Sequence, residues 1–368
     1  MKIDSMVREV HSNLTPYTCQ LADMPVEEIK QVLGLDVVYK LSFNENPLGP
    51  SNKAIEVMKK EVERLNYYPN SAGESVIAKI AEMEGVNSSN IILANGADEM
   101  IIMIAQTFLN PKDEVIIPKL TFVQYLASTH LMGATPIITP MKEDLGIDLH
   151  AILEQITEKT KIIFLCNPNN PTGKIIPYQE LKLFLEQVPE DVIVVVDEAY
   201  HEYVDSNDYA SAVDVIKKMK NVFVIRTFSK IYALAAARIG YGIGAVEVVN
   251  AIQRVRPPFN VNSVAQAGAL ASLEDAEHRI AAKKFNEEGK SLLYKGFRDM
   301  NLNYIETNGN FVYVDIGKES KGIFQQLALK GIIVRDLSGY GLTTSLRISI
   351  GTKEELDAFL KVMNELVV

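Results

Sequence analysis

Two short runs, Ile162-Ile163-Phe164-Leu165-Cys166 and Val192-Ile193-Val194-Val195-Val196, place five apolar residues in a row with no polar residue between them. A strand with one wet face alternates, so an unbroken run means a strand covered on both faces, as in a mainly parallel sheet sandwiched by helices. Similar runs are expected as strands at 91–94, 114–117, 136–139 and 222–226. Between them helical periodicity is expected at 97–108, 122–132, 149–156 and 179–188. The stretch from about 90 to 245 therefore reads as an open α/β sheet.

The flanks read differently. A short helix is expected after Pro25 and another at 53–64, separated by the Asn- and Pro-rich loop Asn44-Glu45-Asn46-Pro47. Beyond about 265 the chain is mostly helical, with alternating strands expected at 311–315 and 346–350 and a helix at 323–329. The expected organisation is an N-terminal segment (1–40), a large domain (41–265) and a smaller α+β domain (266–368), since 368 residues exceed one small core.

Composition narrows the function. A net charge of −10 argues against a nucleic-acid partner, which wants a basic stripe. The two cysteines, Cys19 and Cys166, stand in no metal-binding or disulfide pattern, so no metal site is expected and a reducing compartment fits. No apolar run approaches the ~20 residues of a membrane helix, and the first residues lack a secretory h-region. A cytoplasmic enzyme with small-molecule partners is the expectation.

Open α/β sheets bind ligands at the carboxyl ends of their strands, and three expected strands end in reactive side chains. Asn170-Pro171-Thr172-Gly173 follows Cys166, Asp197-Glu198-Ala199-Tyr200 follows Val196, and Thr227-Phe228-Ser229-Lys230 follows Arg226, with Arg238 eight residues on. Gly96-Ala97-Asp98-Glu99 opens a helix. Each has an ordinary structural explanation: a turn, a cap, a paired core carboxylate, a surface lysine. Together they supply what pyridoxal 5′-phosphate (PLP) requires. A lysine takes the aldehyde, a carboxylate keeps the ring nitrogen protonated, a donor holds the phenolic oxygen, and a helix start with hydroxyls and an arginine holds the phosphate.

With these motifs, and with Leu14-Thr15-Pro16-Tyr17, Tyr68-Pro69 and Leu346-Arg347-Ile348-Ser349-Ile350-Gly351-Thr352 in the same order, the chain resembles the fold-type I PLP-dependent aminotransferases, most closely the histidinol-phosphate aminotransferase group. The resemblance implies an α/β fold-type I PLP-transferase, with a mainly parallel open sheet in the large domain. It implies Lys230 as the Schiff-base lysine and proton shuttle, Asp197 on the ring nitrogen, and Tyr200 and Asn170 on the phenolic oxygen. Gly96, the amides of Ala97 and Asp98, Thr227, Ser229 and Arg238 would hold the phosphate, and Phe122 would stack on the ring. Tyr68 would reach the phosphate of a neighbouring subunit, implying a homodimer. Tyr17, Asn44, Arg335 and Arg347 would face the substrate. The implied activity is ping-pong amino transfer between histidinol phosphate and 2-oxoglutarate in histidine biosynthesis. Arginines serve a carboxylate as well as a phosphate, so an aromatic amino acid aminotransferase stays open, as does a threonine-phosphate decarboxylase. The chain departs from the family in the loop after the lysine, where Ala233 and Ala236 stand at positions usually held by glycine.

Overall fold

The structure is a computed structural model describing residues 6–14 and 21–367. Its strands, in chain order, are β1 (Tyr39–Lys40), β2 (Ile91–Ala94), β3 (Glu114–Pro118), β4 (Thr135–Thr139), β5 (Thr160–Cys166), β6 (Ile193–Asp197), β7 (Val222–Thr227), β8 (Gly240–Gly244), β9 (Asn303–Ile305), β10 (Phe311–Asp315), β11 (Ile332–Ile333), β12 (Arg335–Asp336) and β13 (Ser345–Ser349). A seven-stranded sheet has the order β2-β8-β7-β6-β5-β3-β4. β8 runs antiparallel to both its neighbours, and the other pairings are parallel.

The unbroken apolar runs are explained by a core on each face of this sheet. Ile163, Leu165, Val194, Val196 and Val224 belong to one cluster. Their neighbours Ile162, Phe164, Cys166, Ile193, Val195, Phe223 and Ile225 belong to the other. Successive side chains of a strand point to opposite faces, so both must be apolar when both are covered.

The same alternation separates two adjacent carboxylates. Asp197 continues the row of Ile193 and Val195. Glu198 continues that of Val194 and Val196 and meets Arg226, which continues that of Val222 and Val224. Arg226 donates from Nε and Nη2 to Glu198 Oε2 at 3.0 and 2.9 Å, and from Nη1 to Glu84 at 2.6 Å. Both side chains are within 1% of complete burial. This ion pair ties the ends of β6 and β7 together beneath the segments that carry Asp197 and Lys230.

The four-stranded sheet β12-β13-β10-β9 was expected to expose alternate residues of its central strands. Instead β13 is buried throughout and β10 in all but Asp315. The chemistry does alternate: Val312, Val314, Leu346 and Ile348 pack on the helices Ala276–Asp299, Ser320–Leu329 and Lys353–Val367. The other face carries Arg347 and Ser349 and is covered by protein rather than water, as the contact of Phe311 with the Tyr200 ring at 5.2 Å shows. β1 pairs in parallel with β11 as a separate two-stranded sheet, bringing Tyr39 and Lys40 to the segment that leads into β12.

Removing one member of the buried pair strands the other's charge. Arg226→Leu is expected to lower unfolding free energy by about 3–5 kcal/mol, read from chemical denaturation. A loss below about 1 kcal/mol would show that Glu198 finds another partner or takes up a proton cheaply.

Candidate active site

The carboxyl ends of β5, β6 and β7 open into a cavity of about 470 Å³ that also receives the start of the helix Gly96–Phe108 and one face of the smaller sheet. Of the residues expected at the site, Asn44, Ala97, Asp98, Phe122, Asn170, Asp197, Tyr200, Thr227, Ser229, Lys230, Arg238, Arg335 and Arg347 line it. They come from positions 44 to 347, and the fold brings them to one hollow. Gly96 and Tyr68 are not among them, Gly96 being covered by the Arg238 guanidinium. Of the two, Tyr68 lies elsewhere. It is 82% exposed, stacks on Phe259 at 4.7 Å, and lies by a separate surface hollow with Arg64 and Gln266. Tyr17 lies outside the described residues.

Asp197 forms the floor. It is buried, accepts from the Tyr125 hydroxyl at 2.7 Å through Oδ2, and accepts from the Ala199 amide at 3.0 Å through Oδ1. Burial outweighs these two donors and lifts the carboxyl from its ordinary range to about 6. A buried carboxylate with no cation partner among the described residues suits a protonated ring nitrogen set against it. Cys166, the direct cross-strand partner of Asp197, is buried beside it, and burial raises its thiol far above the usual range. Phe122 lines the cavity and meets Tyr125 edge to face at 5.7 Å.

At one end of the cavity is an anion nest. Gly96 sits at φ +86 at the helix start, and a Cβ there would come within 2.5 Å of Arg238 Nη2. Only glycine admits the guanidinium so close to the helix amides. Arg238 also reaches Asp98 Oδ2 at 3.0 Å and Ser229 Oγ at 3.5 Å, and the Thr227 hydroxyl donates to Ser229 Oγ at 3.0 Å. Amides at a helix start, two hydroxyls and an arginine are the donor set that a phosphate monoester takes.

Between floor and mouth stands Lys230, its Nζ donating to the Phe43 carbonyl at 3.0 Å and lying 5.7 Å from the Tyr200 ring centre. Burial, and then the charge of Arg347, hold its amine down at about 8, which leaves a useful neutral fraction near neutrality. Tyr200 accepts from Asn44 Nδ2 at 3.0 Å, so its own proton is free to point at a ligand. Asn44, expected to face the substrate, lines the cavity, and its amide holds Tyr200 and accepts from the Ser349 hydroxyl at 2.9 Å. Arg347 donates to Asn170 Oδ1 and to the Ser42 carbonyl, each at 2.5 Å. These features fit PLP at every one of its polar groups.

Tyr125 is the functional residue the sequence reading passed over. Its spacing of three from Phe122, at a helix start, is a usable signal for a shared face. The carbonyls of Ser42 and Phe43 carry no side-chain signal at all. The alanine departures divide: Ala233 adopts φ +55, a conformation that suits glycine, whereas Ala236 does not have positive φ and lies in the turn Ala235–Ala237.

The sequence pattern of the family described as aminotransferase class I and II matches residues 36–363. Histidinol-phosphate aminotransferase of Caldicellulosiruptor saccharolyticus is 41% identical over 98% of this chain and 100% of its own. That of Moorella thermoacetica is 40% identical over 98% and 92%. The crystal structure of histidinol-phosphate aminotransferase from Sinorhizobium meliloti in complex with pyridoxal-5′-phosphate superposes with a TM-score of 0.90, covering 99% of this chain and 98% of that one. At 23% identity this last likeness is one of fold.

Two outcomes follow from this geometry. A carboxyl raised to about 6 favours folding while protonated, and that contribution fades as pH rises through 6. In cofactor-free protein Asp197→Asn is therefore expected to be more stable than the parent by about 3 kcal/mol at pH 8 and by about half that at pH 5. Equal thermal stability at both pH values would mean that the carboxylate is not strained. Ala233→Gly, which relieves a left-handed backbone, is expected to add about 0.5–1 kcal/mol, while Ala236→Gly subtracts a similar amount. Thermal unfolding that moves both variants in the same direction would contradict the backbone argument.

Proposed function

Because this chain belongs to the class I and II aminotransferases, we propose that it is a PLP-dependent transaminase exchanging an amino group between histidinol phosphate and 2-oxoglutarate, in histidine biosynthesis. The observation that carries the reading is the set of charges around one cavity: an amine, a buried carboxylate, an anion nest, and two further arginines from the smaller sheet. The substrate rests on relatives about 40% identical over nearly their whole length.

Lys230 would hold the cofactor's aldehyde covalently, and Gly96, Ala97, Asp98, Thr227, Ser229 and Arg238 its phosphate. Asp197 would hold its ring nitrogen, Tyr200 and Asn170 its phenolic oxygen, with Phe122 against its ring. Bound there, PLP supplies a conjugated ring that accepts the electron pair released at the substrate carbon. Asp197, kept anionic by the cation set against it, maintains the charge that makes this sink effective. Lys230 Nζ, freed when the substrate amine takes its place and neutral for part of the time near pH 8, would take the proton from that carbon and deliver it to the former aldehyde carbon, so that the amino group changes owner. Tyr200, fixed by Asn44, donates its hydroxyl proton into the cavity and keeps the hydrogen-bond pattern in one sense. Arg347 and Arg335 bind the anionic group of either substrate, which allows one site to serve both half-reactions.

The same reading makes the protein a cytoplasmic homodimer in which Tyr68 serves the neighbouring subunit. Support comes from its exposure, together with that of Tyr67, Leu65 and Val62 nearby, an apolar patch larger than an isolated surface residue needs. It also divides the chain into segments 1–40, 41–265 and 266–368. The separate core of the smaller sheet supports the last boundary.

With 2-oxoglutarate as acceptor, histidinol phosphate is expected to exceed phenylalanine, tyrosine and threonine phosphate in kcat/KM by at least about tenfold, with no carbon dioxide released. Lys230→Ala is expected to abolish turnover together with the borohydride-fixed cofactor adduct. A preference for phenylalanine would replace the substrate, carbon dioxide from threonine phosphate would replace the reaction, and a working Lys230→Ala protein would remove the lysine from it.

A further inference from the structure

Asn44 fixes the Tyr200 hydroxyl, and its own backbone is left-handed, at φ +55. A non-glycine residue keeps that conformation only where its surroundings over-determine it. Every polar group of Asn44 is engaged. Its amide N–H donates to Ser349 Oγ at 2.8 Å, and its Oδ1 accepts from the same hydroxyl at 2.9 Å. Its Nδ2 donates to the Tyr200 oxygen at 3.0 Å. Its carbonyl accepts from Asn310 Nδ2 at 2.8 Å, and the next carbonyl, that of Glu45, accepts from the same nitrogen at 3.3 Å.

Ser349 therefore holds Asn44 on its amino side and Asn310 holds it on its carboxyl side. Both come from one end of the β10–β13 ladder, where Phe311 stands opposite Ser349. Asn310 is 2% exposed and firmly mounted. Its carbonyl accepts from the Ile350 amide at 2.9 Å, and the preceding carbonyl, that of Gly309, accepts from Asn286 Nδ2 at 3.1 Å. Two residues past Asn44, Asn46 Nδ2 donates to the Ile231 carbonyl at 2.8 Å, which ties the same loop to the residue after Lys230. The carbonyls of Asn44 and Glu45 can only accept, so the amide nitrogen of Asn310 must face them. Among the described residues it is the donor they share, and an apolar side chain in its place would supply none.

We propose that Asn310 is a positioning residue for the reaction: by holding the carbonyls of Asn44 and Glu45 it keeps Asn44 in the left-handed conformation from which Nδ2 fixes the Tyr200 hydroxyl. The inference rests on Tyr200 as the partner of the cofactor's phenolic oxygen, and adds the residue that aims it. Asn310 does not line the cavity, so it acts through Asn44. Without this clamp Asn44 relaxes toward ordinary backbone angles and releases its strain. Its Nδ2 then leaves the Tyr200 oxygen, and the hydroxyl proton is no longer confined to the direction of the cavity. A donor on a phenolic oxygen draws off negative charge, so a proton shared between that oxygen and the lysine nitrogen is held less tightly. Losing the aim of Tyr200 therefore raises the pH at which the shared proton leaves.

The visible absorption of the PLP-loaded protein, titrated with base, reads that pH. Tyr200→Phe is expected to raise it by about one pH unit, and Asn310→Ala by about half a unit. Asn44→Gly permits the left-handed backbone but removes the amide, and is expected to raise it by at least as much as Asn310→Ala. In a protein that already carries Tyr200→Phe, Asn310→Ala is expected to add less than about 0.2 unit, because both changes act on one hydroxyl. A titration unmoved by Asn310→Ala beside a lower Tm, or a full half unit added on top of Tyr200→Phe, would overturn the proposal and leave Asn310 a structural anchor. If Asn310→Ala does not fold, Asn310→Ser, which keeps a polar group in that buried place but lacks the reach, carries the same test. A titration that Tyr200→Phe does not move would remove Tyr200 from the phenolic oxygen, and Asn310 with it. Turnover of histidinol phosphate is measured on the same preparations. Its absence beside the expected titrations would count against the substrate and leave the role of Asn310 standing.

Discussion

The site depends on one geometric constraint, the two-residue repeat of strands covered on both faces. It sends Asp197 to the face that holds Cys166 and Tyr125 and sends Glu198 to the face that holds Arg226. The two carboxylates are adjacent in the chain and both buried, yet their electrostatics are opposite. Glu198 has a guanidinium in two-point contact and is a structural ion. Among the described residues Asp197 has two neutral donors and no cation of its own, which is what a cationic ring requires of its partner. A slip of one residue in the register of β6 would exchange these roles and destroy both the ion pair and the site.

Charge around the cavity is arranged by distance rather than by net amount. The protein as a whole carries −10, but the cavity gathers Lys230, Arg238, Arg335 and Arg347. They are restrained in three ways. Lys230 is held down by burial and by Arg347, Arg238 and Arg335 are paired with the carboxylates of Asp98 and Asp23, and Arg347 donates to the oxygens of Asn170 and Ser42. These cations come from different elements, Arg238 beside the helix start at Gly96 and Arg335 and Arg347 from the strand pair β12–β13. Two cationic groupings of different origin can serve a cofactor phosphate and a substrate anion without one element supplying both.

The smaller sheet is more than a lid support. Its helix-facing side is an ordinary apolar core, while consecutive same-face positions of β13 on its other side deliver Arg347 to the cavity and Ser349 to Asn44. Ser349 reaches Asn44, and Asn44 reaches Tyr200, so the orientation of the tyrosine hydroxyl is set from a strand that follows it by almost 150 residues. Burial of this polar face is tolerable because its groups are hydrogen-bonded to one another and to the loop 42–46.

Local sequence by itself determined the elements and the inventory of reactive groups. Unbroken apolar runs required a sheet covered on both sides, and β2 and β10 fall where patterning placed them, because burial on a face is written in residue spacing. The motifs also named Lys230, Asp197, Asn170 and Arg238 through their positions after strands. What only the tertiary structure decided were relations between distant segments. Those are the strand β8 running against its neighbours, the covered polar face of β13, the engagement of Asn44 by Tyr200 and Ser349, and the pairing of Arg335 with a carboxylate 312 residues away. Hydrogen bonds and ion pairs depend on angstrom-scale approach between groups whose separation along the chain carries no information. Spacing therefore reveals which face a side chain takes, and only the closed fold reveals what it meets there.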